Sequence, residues 1–406
     1  MSTTYQIEIQ VRDPLIARDG RPFGAGQGSR MRSLDWLLPS VLAGSFRSLV
    51  GKTAGGFDPS MVQSLKDLEI AGPFPVHESH LYFPTPRDAL LQSVGPGQEK
   101  HLSIRPTPLG NGEGTDLPNN LQPCLPPAGL RKESKPPPIP QWWSAKQFSA
   151  WLTDPEETPR EIDTGASRFP FKTPCETRTH VRIDPQTGTS SDGDLFTTTA
   201  LDLNVPPTSY CSTPALSMAL RVTAPPGSPL CNHFNALDAL HPVGGERRIA
   251  HWRRNNTTTD KWNCPVEIID ALRRKPERLR LILATPAIFA EGWRPGWLQP
   301  INECLVGEPP SDIGKPGPQL KLVGAVVGRW RPISGWSLEA GKRGIKPLRR
   351  LAPAGSVFFF DVIDGSNPAD WAAAHWLSSV CDDAQDRRDG FGLAAWGIWS
   401  PHNLSP

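Results

Sequence analysis

Apolar and polar residues alternate with a period of two in Tyr5–Val11 and Thr177–Asp184, and a Thr-rich segment that also suits a strand follows at Leu195–Leu203. Because successive side chains of a strand point to opposite faces, the alternation predicts half-buried strands. Turn residues separate the second segment from the third, which predicts a long β-hairpin. One face of that hairpin carries three basic side chains, Arg178, His180 and Arg182.

Apolar residues recur at helical spacing from Pro39 to Val50, where Pro39 suits a first turn and Gly51 suits a stop. We predict a further helix at Pro368–Ala384, and further strands at Leu279–Ala284, Lys321–Trp330 and Ser356–Ile363. Strand, helix and strand follow one another in both halves of the chain. This order favours an α+β fold with two ferredoxin-like modules, one after the other.

Proline and glycine set the character of the chain, with 46 Pro and 36 Gly among 406 residues. They account for an apolar fraction of only 37% and predict short elements joined by long loops. The segment from Leu91 to about Glu161 is predicted to be an insertion with little regular structure. We assign its large aromatic residues to packing: Trp142, Trp143, Phe148 and Trp151.

The formal net charge of +2 hides an uneven distribution. Lys321–Arg350 contains eight Lys and Arg against one acid, and Gly244–Arg280 contains ten against five. In Asp361–Asp389 the sign inverts, with seven Asp against two Arg. Basic blocks are most often solvated faces, so charge alone leaves a solvated surface and a polyanion site both open. The acidic stretch suits either a solvated helix face or a docking surface for a basic partner.

Seven scattered cysteines and the lack of an apolar run near 18 residues indicate a cytoplasmic protein. Three motifs resemble ligand sites without meeting their requirements. Gly24–Gly28 lacks dinucleotide spacing, Val50–Thr53 ends a helix instead of opening one, and His77–His80 lacks a third metal ligand. We therefore expect no cofactor, no metal and no NTPase activity.

The most informative segment is Lys321–Phe360. Six glycines within it let the backbone approach a ligand closely, and seven of its eight cations, from Arg329 onward, offer phosphate contacts. Trp330 and Trp336 offer stacking faces, a combination that suits single-stranded RNA. The alternative is that both Trp side chains belong to the core.

Many stretches of the chain resemble one known family, in the family's order. They are Pro14–Phe23, Pro39–Leu49, Arg182–Thr189, Gly193–Phe196, His241–Arg248, Ala284–Phe289, Gly292–Trp293, Lys321–Trp336, Lys346–Phe360 and Gly390–Gly392. Together they are similar to the third subunit of the type III-B CRISPR Cmr effector complex, a branch of the RAMP superfamily. The resemblance runs from residue 12 to residue 397 and covers the segment 91–160 poorly.

The resemblance implies two tandem ferredoxin-like (RRM-type) modules, at 1–214 and 215–406. The first would contain the insertion, at about 91–160, and a projecting thumb hairpin at about 177–203. The second would contain a glycine-rich loop at about 324–344. It also implies a non-catalytic subunit that binds the repeat-derived 5′ handle of the CRISPR RNA (crRNA). Such a subunit contacts the large polymerase/cyclase subunit and the backbone RAMP subunits, which cut target RNA, and so supports antiviral defence.

We predict RNA-binding residues in the N-terminal loop, the first helix, the thumb, the turn after Gly244 and the glycine-rich segment. They are Arg18, Arg21, Arg47, His180, Arg182, Arg247, Arg248, Arg329, Gly335, Trp336, Lys346, Arg349 and Arg350. Two other functions stay open. One is a metal-independent RAMP endoribonuclease that processes CRISPR RNA with His180 as base. The other is a structural subunit whose basic blocks bind acidic partner surfaces.

Overall fold

A computed structural model describes most of the chain: residues 2–21, 23, 29–77, 79–95, 98–127, 136–153, 160–161, 172–204, 216–255, 262–311, 316–337, 341 and 343–402. The chain divides into two compact units that interleave along the sequence. Unit 1 consists of Met1–Ser79, Lys172–Asn256 and Arg331–Arg350, and unit 2 of His80–Phe171, Thr257–Trp330 and Leu351–Pro406. Both units are rich in strands with few helices, which confirms the α+β class.

The main sheet of unit 1 is antiparallel and is built around the first strand of the chain. Across the sheet, its strands are Asp238–Val243, Arg248–Arg254, Thr3–Val11, Ser217–Ala224 and Glu69–His77. The first strand keeps the predicted alternation, with every second side chain from Tyr5 onward buried. We set the edge strand Asp238–Val243 aside and number the other four by their order along the sequence. Across the sheet they then lie in the order fourth, first, third and second.

The helix predicted from Pro39 runs over Pro39–Thr53 and packs on this sheet. Phe46 is fully buried, and its ring centroid lies 6.1 Å from that of Trp252 in the sheet. Burying such a side chain contributes about 1.5–3 kcal/mol. The helix continues through Gly51 instead of stopping there, and glycine suits the position because a Cβ atom would collide with the Phe57 ring. Lys52 lies in its last turn, so the motif ends a helix, as predicted. The other helices of unit 1 are Pro59–Lys66 and Cys231–Asn235.

The long β-hairpin predicted from the strand patterns is present in unit 1, and we keep the name thumb for it. Cys175–Ile183 pairs antiparallel with Ser190–Leu201, and Ser29–Arg30 adds a parallel third strand. The base of the thumb is held by two backbone hydrogen bonds of 2.8 Å between Leu15 and Leu201.

The two units do not follow the predicted boundary at residue 214. The strand Ser217–Ala224, expected to begin the second module, pairs with Thr3–Val11 and belongs to unit 1. The hairpin Asp238–Arg254 also belongs to unit 1. A strand takes its place from its hydrogen-bonded neighbours, and those of Ser217–Ala224 are Thr3–Val11 and Glu69–His77, both more than 130 residues away along the chain.

The main sheet of unit 2 contains, in order, Gln299–Ile301, Cys304–Gly307, Leu320–Val326, Val357–Val362, Arg278–Leu283, Leu393–Gly397 and Ser378–Ser379. Its four central strands lie in the order second, third, first and fourth, the order found in unit 1 read from the opposite edge. The helices of unit 2 are Ala145–Thr153, Val266–Arg274, Ala369–Ala374 and Ala384–Arg388. The single helix predicted at Pro368–Ala384 is therefore wrong, because the short strand Ser378–Ser379 interrupts it.

The insertion has more regular structure than predicted. Its described residues form the strands Ala89–Gly95, Gln98–Ser103 and Arg160–Glu161, the pair Arg105–Pro106 and Cys124–Leu125, and Trp142–Ser144, which pairs with His80–Pro84. The aromatic residues assigned to packing are buried: Trp142, Trp143, Phe148 and Trp151. Phe148 stacks on Phe83 and Arg280 lies over Trp151, so these side chains pack the insertion into unit 2.

Candidate nucleic-acid interface

The glycine-rich segment divides between the two units. Leu320–Val326 is a strand of unit 2, whereas Arg331–Arg350 belongs to unit 1 and folds back on itself. Trp336–Ser337 pairs with Gly344–Ile345, and the amide of Lys346 donates to the carbonyl of Gly335 at 2.8 Å. The predicted loop at about 324–344 is therefore a hairpin over Arg331–Arg350, which we call the basic hairpin.

The loop that carries Arg18 and Arg21 packs directly against the basic hairpin. A Cβ atom on Gly20 would lie 3.1 Å from the carbonyl oxygen of Pro332 and 3.2 Å from the nitrogen of Ser334. Such contacts are tighter than side chains normally make, so glycine suits this position. The fold thus brings together two basic segments that lie more than 300 residues apart in the sequence.

The outer part of the basic hairpin is open to solvent. Trp336 is 58% exposed and its cross-strand neighbour Ile345 is 79% exposed. Trp330, in unit 2, is also exposed, so the alternative that both Trp side chains belong to the core is wrong. Around Trp336 the hairpin presents further exposed residues: Gly335, Arg343, Lys346 and Arg350. In the described part of the chain, Arg343 and Lys346 have no acidic partner.

The turn after Gly244 presents Arg247 and Arg248 from unit 1. A Cβ atom on Gly244 would lie 2.9 Å from the carbonyl oxygen of Ile16, so the turn sits close on the N-terminal segment. Glu246 and Arg247 both have left-handed backbone, with φ of 57° and 51°. Arg248 donates to Glu246 at 2.7 Å, whereas Arg247 has no acidic partner among the described residues.

The predicted basic face of the thumb is largely neutralised. Arg178 donates to both carboxylate oxygens of Glu176, and this hydrogen bonding lowers the pKa of Glu176. Arg182 lies 3.7 Å from Asp194. Because both arginines have an acidic neighbour on the same hairpin, this face offers phosphate less net charge than its sequence suggests.

His180 is held by neighbouring side chains on this face. Its Nε2 atom lies 2.8 Å from the Thr198 hydroxyl, and its ring stacks on Phe196 with centroids 5.1 Å apart. Phe196 in turn meets Phe23 edge-on at 5.9 Å, and the guanidinium of Arg18 lies 5.7 Å above Phe23. These four side chains form a continuous row of ring and cation contacts from the N-terminal loop to the thumb.

Two predicted residues lie apart from this surface. Arg47 donates to the carbonyl oxygens of Leu65 and Leu68 at 2.8 and 3.0 Å, where the helix Pro59–Lys66 ends. Its guanidinium thus stabilises free carbonyls at a helix terminus. Arg329 is exposed but belongs to unit 2.

Two exposed cations of unit 1 are not among the residues predicted to bind RNA. Arg30 and Arg32 flank the buried Met31, and in the described residues neither has an acidic partner. Arg30 aligns with Thr197 of the thumb, and the bridge between Arg18 and Ser33 ties the same ribbon to the N-terminal loop. The alternation of Arg30, Met31 and Arg32 was the available signal, but it is too short to stand out.

Part of the acidic stretch predicted as a docking surface is used within unit 2. Asp382 accepts from the amides of Ala290 and Gly296, both at 2.8 Å, and Asp383 caps the helix Ala384–Arg388. Within the described ranges, no cluster of three His, Cys, Asp or Glu side chains is arranged for a metal ion. None of the helices described there is long and apolar enough to cross a membrane.

A strand-rich α+β fold whose surface combines exposed cations, close-packed glycine turns and a solvent-exposed Trp is typical of a single-stranded nucleic-acid-binding protein. The model of the family described as CRISPR-associated protein (Cas_Cmr3) matches residues 7–399. The chain belongs to this family, which confirms the resemblance seen in the sequence.

Two solved structures are similar to this chain, both of the type III-B Cmr-beta complex bound to cognate target RNA, one of them also with AMPPnP. Their sequence identities are 13% and 14%, and both have a TM-score of 0.44. Each alignment covers 87% of this chain and 86% of the other. No curated protein sequence gave a significant match.

Proposed function

We propose that this chain is a non-catalytic subunit of a type III-B Cmr ribonucleoprotein that binds the repeat-derived 5′ handle of the crRNA. In this role it bridges the large polymerase/cyclase subunit to the backbone RAMP subunits and supports antiviral RNA targeting. Membership of the Cas_Cmr3 family supports the assignment to a type III-B effector complex that works with RNA. The two central sheets support the expected pair of ferredoxin-like modules, because each has the strand order of that fold.

The observation that carries the proposal is the contact between Gly20 and the basic hairpin. It joins the loop of Arg18 and Arg21 to a hairpin that offers Trp336 and Lys346, the latter with no acidic partner among the described residues. An exposed Trp beside cations suits a splayed base and its phosphate, the features by which proteins recognise single-stranded RNA. A duplex would shield its bases from such a platform.

A binding titration tests this function. The full chain is mixed with labelled mature crRNA and with the same RNA lacking its 5′ handle, at several salt concentrations. We expect tighter binding of the RNA with the handle, and a slope of log K against log salt of about −0.7 per phosphate contact. Equal binding of the two RNAs, or a slope near zero, would instead favour basic blocks that bind acidic protein surfaces.

The second candidate function is a metal-independent endoribonuclease with His180 as general base. A general base needs a ring nitrogen within reach of the 2′-hydroxyl, and usually a partner that orients it. His180 has a Thr198 hydroxyl at 2.8 Å and a stacked Phe196, contacts that favour a packing role. Incubating labelled repeat RNA without metal separates the two functions. Cleavage that disappears in His180→Ala would replace the scaffold proposal with the nuclease.

A further inference from the structure

The thumb hairpin has two faces of opposite chemistry. The register pairs His180 with Phe196 on one face, which we call the inner face. It pairs Thr177 with Thr199, Thr179 with Thr197, and Val181 with Leu195 on the other, which we call the outer face. Directly opposite residues in an antiparallel pair share a face, so the assignment follows from the register alone.

The inner face is already engaged by protein. Phe23 packs edge-on against Phe196, and the inner-face residues Thr198 and Ala200 are buried. Its exposed arginines, Arg178 and Arg182, both lie beside acids of the same hairpin. A polyanion that approached this face would have to compete with those acids.

Beyond its base, where Leu201 is buried and Cys175 lies near Asp35, the outer face is open and carries no described acidic residue. Val181 and Leu195 are 44% and 54% exposed, and Thr177 and Thr179 are exposed beside them. Arg30 aligns with Thr197, and partners in register share a face, so its side chain lies on the outer face as well. Arg32 follows two residues later, about 6.6 Å further along an extended backbone.

We propose that a single strand of RNA crosses the outer face of the thumb, with its phosphates on Arg30 and Arg32 and an unstacked base on Val181 and Leu195. The threonine hydroxyls between them donate to phosphate or exchange hydrogen bonds with a 2′-hydroxyl. This inference rests on the proposed RNA-binding function and assigns a different face of the thumb from the one expected from the sequence.

Charge complementarity favours RNA over a protein as the occupant. The outer face offers two cations without an acidic neighbour in the described part of the chain, next to hydroxyl donors and a small apolar area. A protein that covered Val181 and Leu195 would also have to neutralise Arg30 and Arg32 with acids of its own. Every nucleotide of an RNA strand supplies both an anion, its phosphate, and an apolar surface, the face of its base.

The test compares sets of substitutions in the full chain, with labelled single-stranded crRNA titrated at several salt concentrations. Arg30→Ala with Arg32→Ala removes the outer-face cations and should reduce the salt slope by about 1.4, since each phosphate contact on a single strand contributes about 0.7. Val181→Asp with Leu195→Asp places carboxylates on the outer face and should weaken binding. Arg253→Ala, a cation paired with Glu8 elsewhere in unit 1, is the matched control for loss of charge.

The outcomes separate this inference from the proposed function. Wild-type chain that fails to bind crRNA overturns the proposed function and the inference with it. Wild-type binding with no loss in either outer-face variant overturns the inference alone. A loss of slope confined to Arg178→Ala with Arg182→Ala would assign the RNA to the inner face instead. Thermal unfolding of every variant checks that the loss does not come from an unfolded chain, and Arg30→Lys with Arg32→Lys should restore most of the salt slope.

Discussion

At the scale of single residues, the turn that presents Arg247 holds strained backbone. Two consecutive non-glycine residues, Glu246 and Arg247, have left-handed φ angles, each of which costs about 1–3 kcal/mol. The close approach of Gly244 to Ile16 keeps the turn in this conformation. Backbone strain that the surroundings enforce is common at ligand-binding positions. Here the strain lies at Arg247, which supports a binding role for this residue.

We predict that Arg247→Gly increases stability and weakens RNA binding at the same time. Glycine relieves the strain at the cost of about 0.4–1 kcal/mol of added chain entropy, which leaves a net gain of about 1 kcal/mol. Loss of one cation should reduce the salt slope by about 0.7. Denaturant unfolding and RNA titration measure the two effects. Arg247→Ala is the control, since it removes the cation and keeps the strain; a variant with lower stability and full binding would contradict the prediction.

Unit 2 contains a buried ion pair. Asp88 is completely buried and accepts from Arg280 at 2.8 Å and from the indole of Trp151 at 2.9 Å. Burial raises the pKa of Asp88, and the charge of Arg280 opposes that rise. The 2.8 Å contact supports an ion pair, because the buried charge of each side chain is compensated by the charge of the other.

Removing one member of this pair should destabilise the protein strongly. Asp88→Ala leaves the Arg280 guanidinium buried without its carboxylate, which costs about 3–5 kcal/mol. Urea unfolding measures the loss. The double variant Asp88→Leu with Arg280→Met should recover part of it, because it removes both buried charges but leaves the indole N–H and the carbonyl of Trp151 without these partners. A single variant that unfolds within 1 kcal/mol of wild type would show that the pair does not hold the unit together.

At the scale of elements, the basic hairpin combines a rigid base with an open end. Its base packs on Gly20 and forms an ion pair between Arg331 and Asp35 at 2.6 Å. Its outer end exposes Trp336 and Ile345 side by side. An exposed aromatic side chain on an anchored hairpin loses little entropy when a base stacks on it, so it favours binding.

Trp336→Ala should weaken RNA binding and leave the fold intact. Loss of one base-stacking platform costs about 1–3 kcal/mol, or about 5–150-fold in affinity. Because the side chain is exposed, stability should change by no more than about 0.5 kcal/mol. Trp293→Ala removes a partly exposed Trp of unit 2 and is the matched control. Equal effects of the two substitutions on affinity would contradict a stacking role for Trp336.

At the scale of the whole molecule, the net charge of +2 is the sum of two opposite units. Unit 1 contains 22 Lys and Arg against 16 Asp and Glu, and unit 2 contains 21 against 25. Unit 1 is therefore basic and unit 2 acidic. A polyanion is attracted to the first and repelled by the second, which agrees with the position of the basic hairpin, the thumb and the turn after Gly244 in unit 1.

Cross-linking should report this division directly. When the chain is cross-linked to crRNA and digested, we expect the modified peptides to come mainly from Met1–Ser79, Lys172–Asn256 and Arg331–Arg350. Mass spectrometry of the RNA-bound peptides measures the distribution. Cross-links concentrated in the acidic unit 2 would contradict the placement of the RNA surface, whichever residues contact the bases.

The sequence by itself determined the features that short-range patterns encode. The alternation in Thr177–Asp184 predicted the thumb, the apolar spacing after Pro39 predicted the first helix, and charge with glycine marked the basic hairpin. These patterns need only neighbours within a few residues, because period and propensity act locally. The family resemblance rested on many such short stretches and was confirmed over residues 7–399.

Only the tertiary structure decided which segments meet. The pairing of Ser217–Ala224 with Thr3–Val11 assigned the strand to unit 1, and the contact of Gly20 with Pro332 brought the two basic segments together. The acids beside Arg178 and Arg182 reduce the net positive charge of the thumb face that the sequence predicted to be basic. Long-range pairing and side-chain neutralisation depend on register and on close approach between distant segments, which no local pattern specifies.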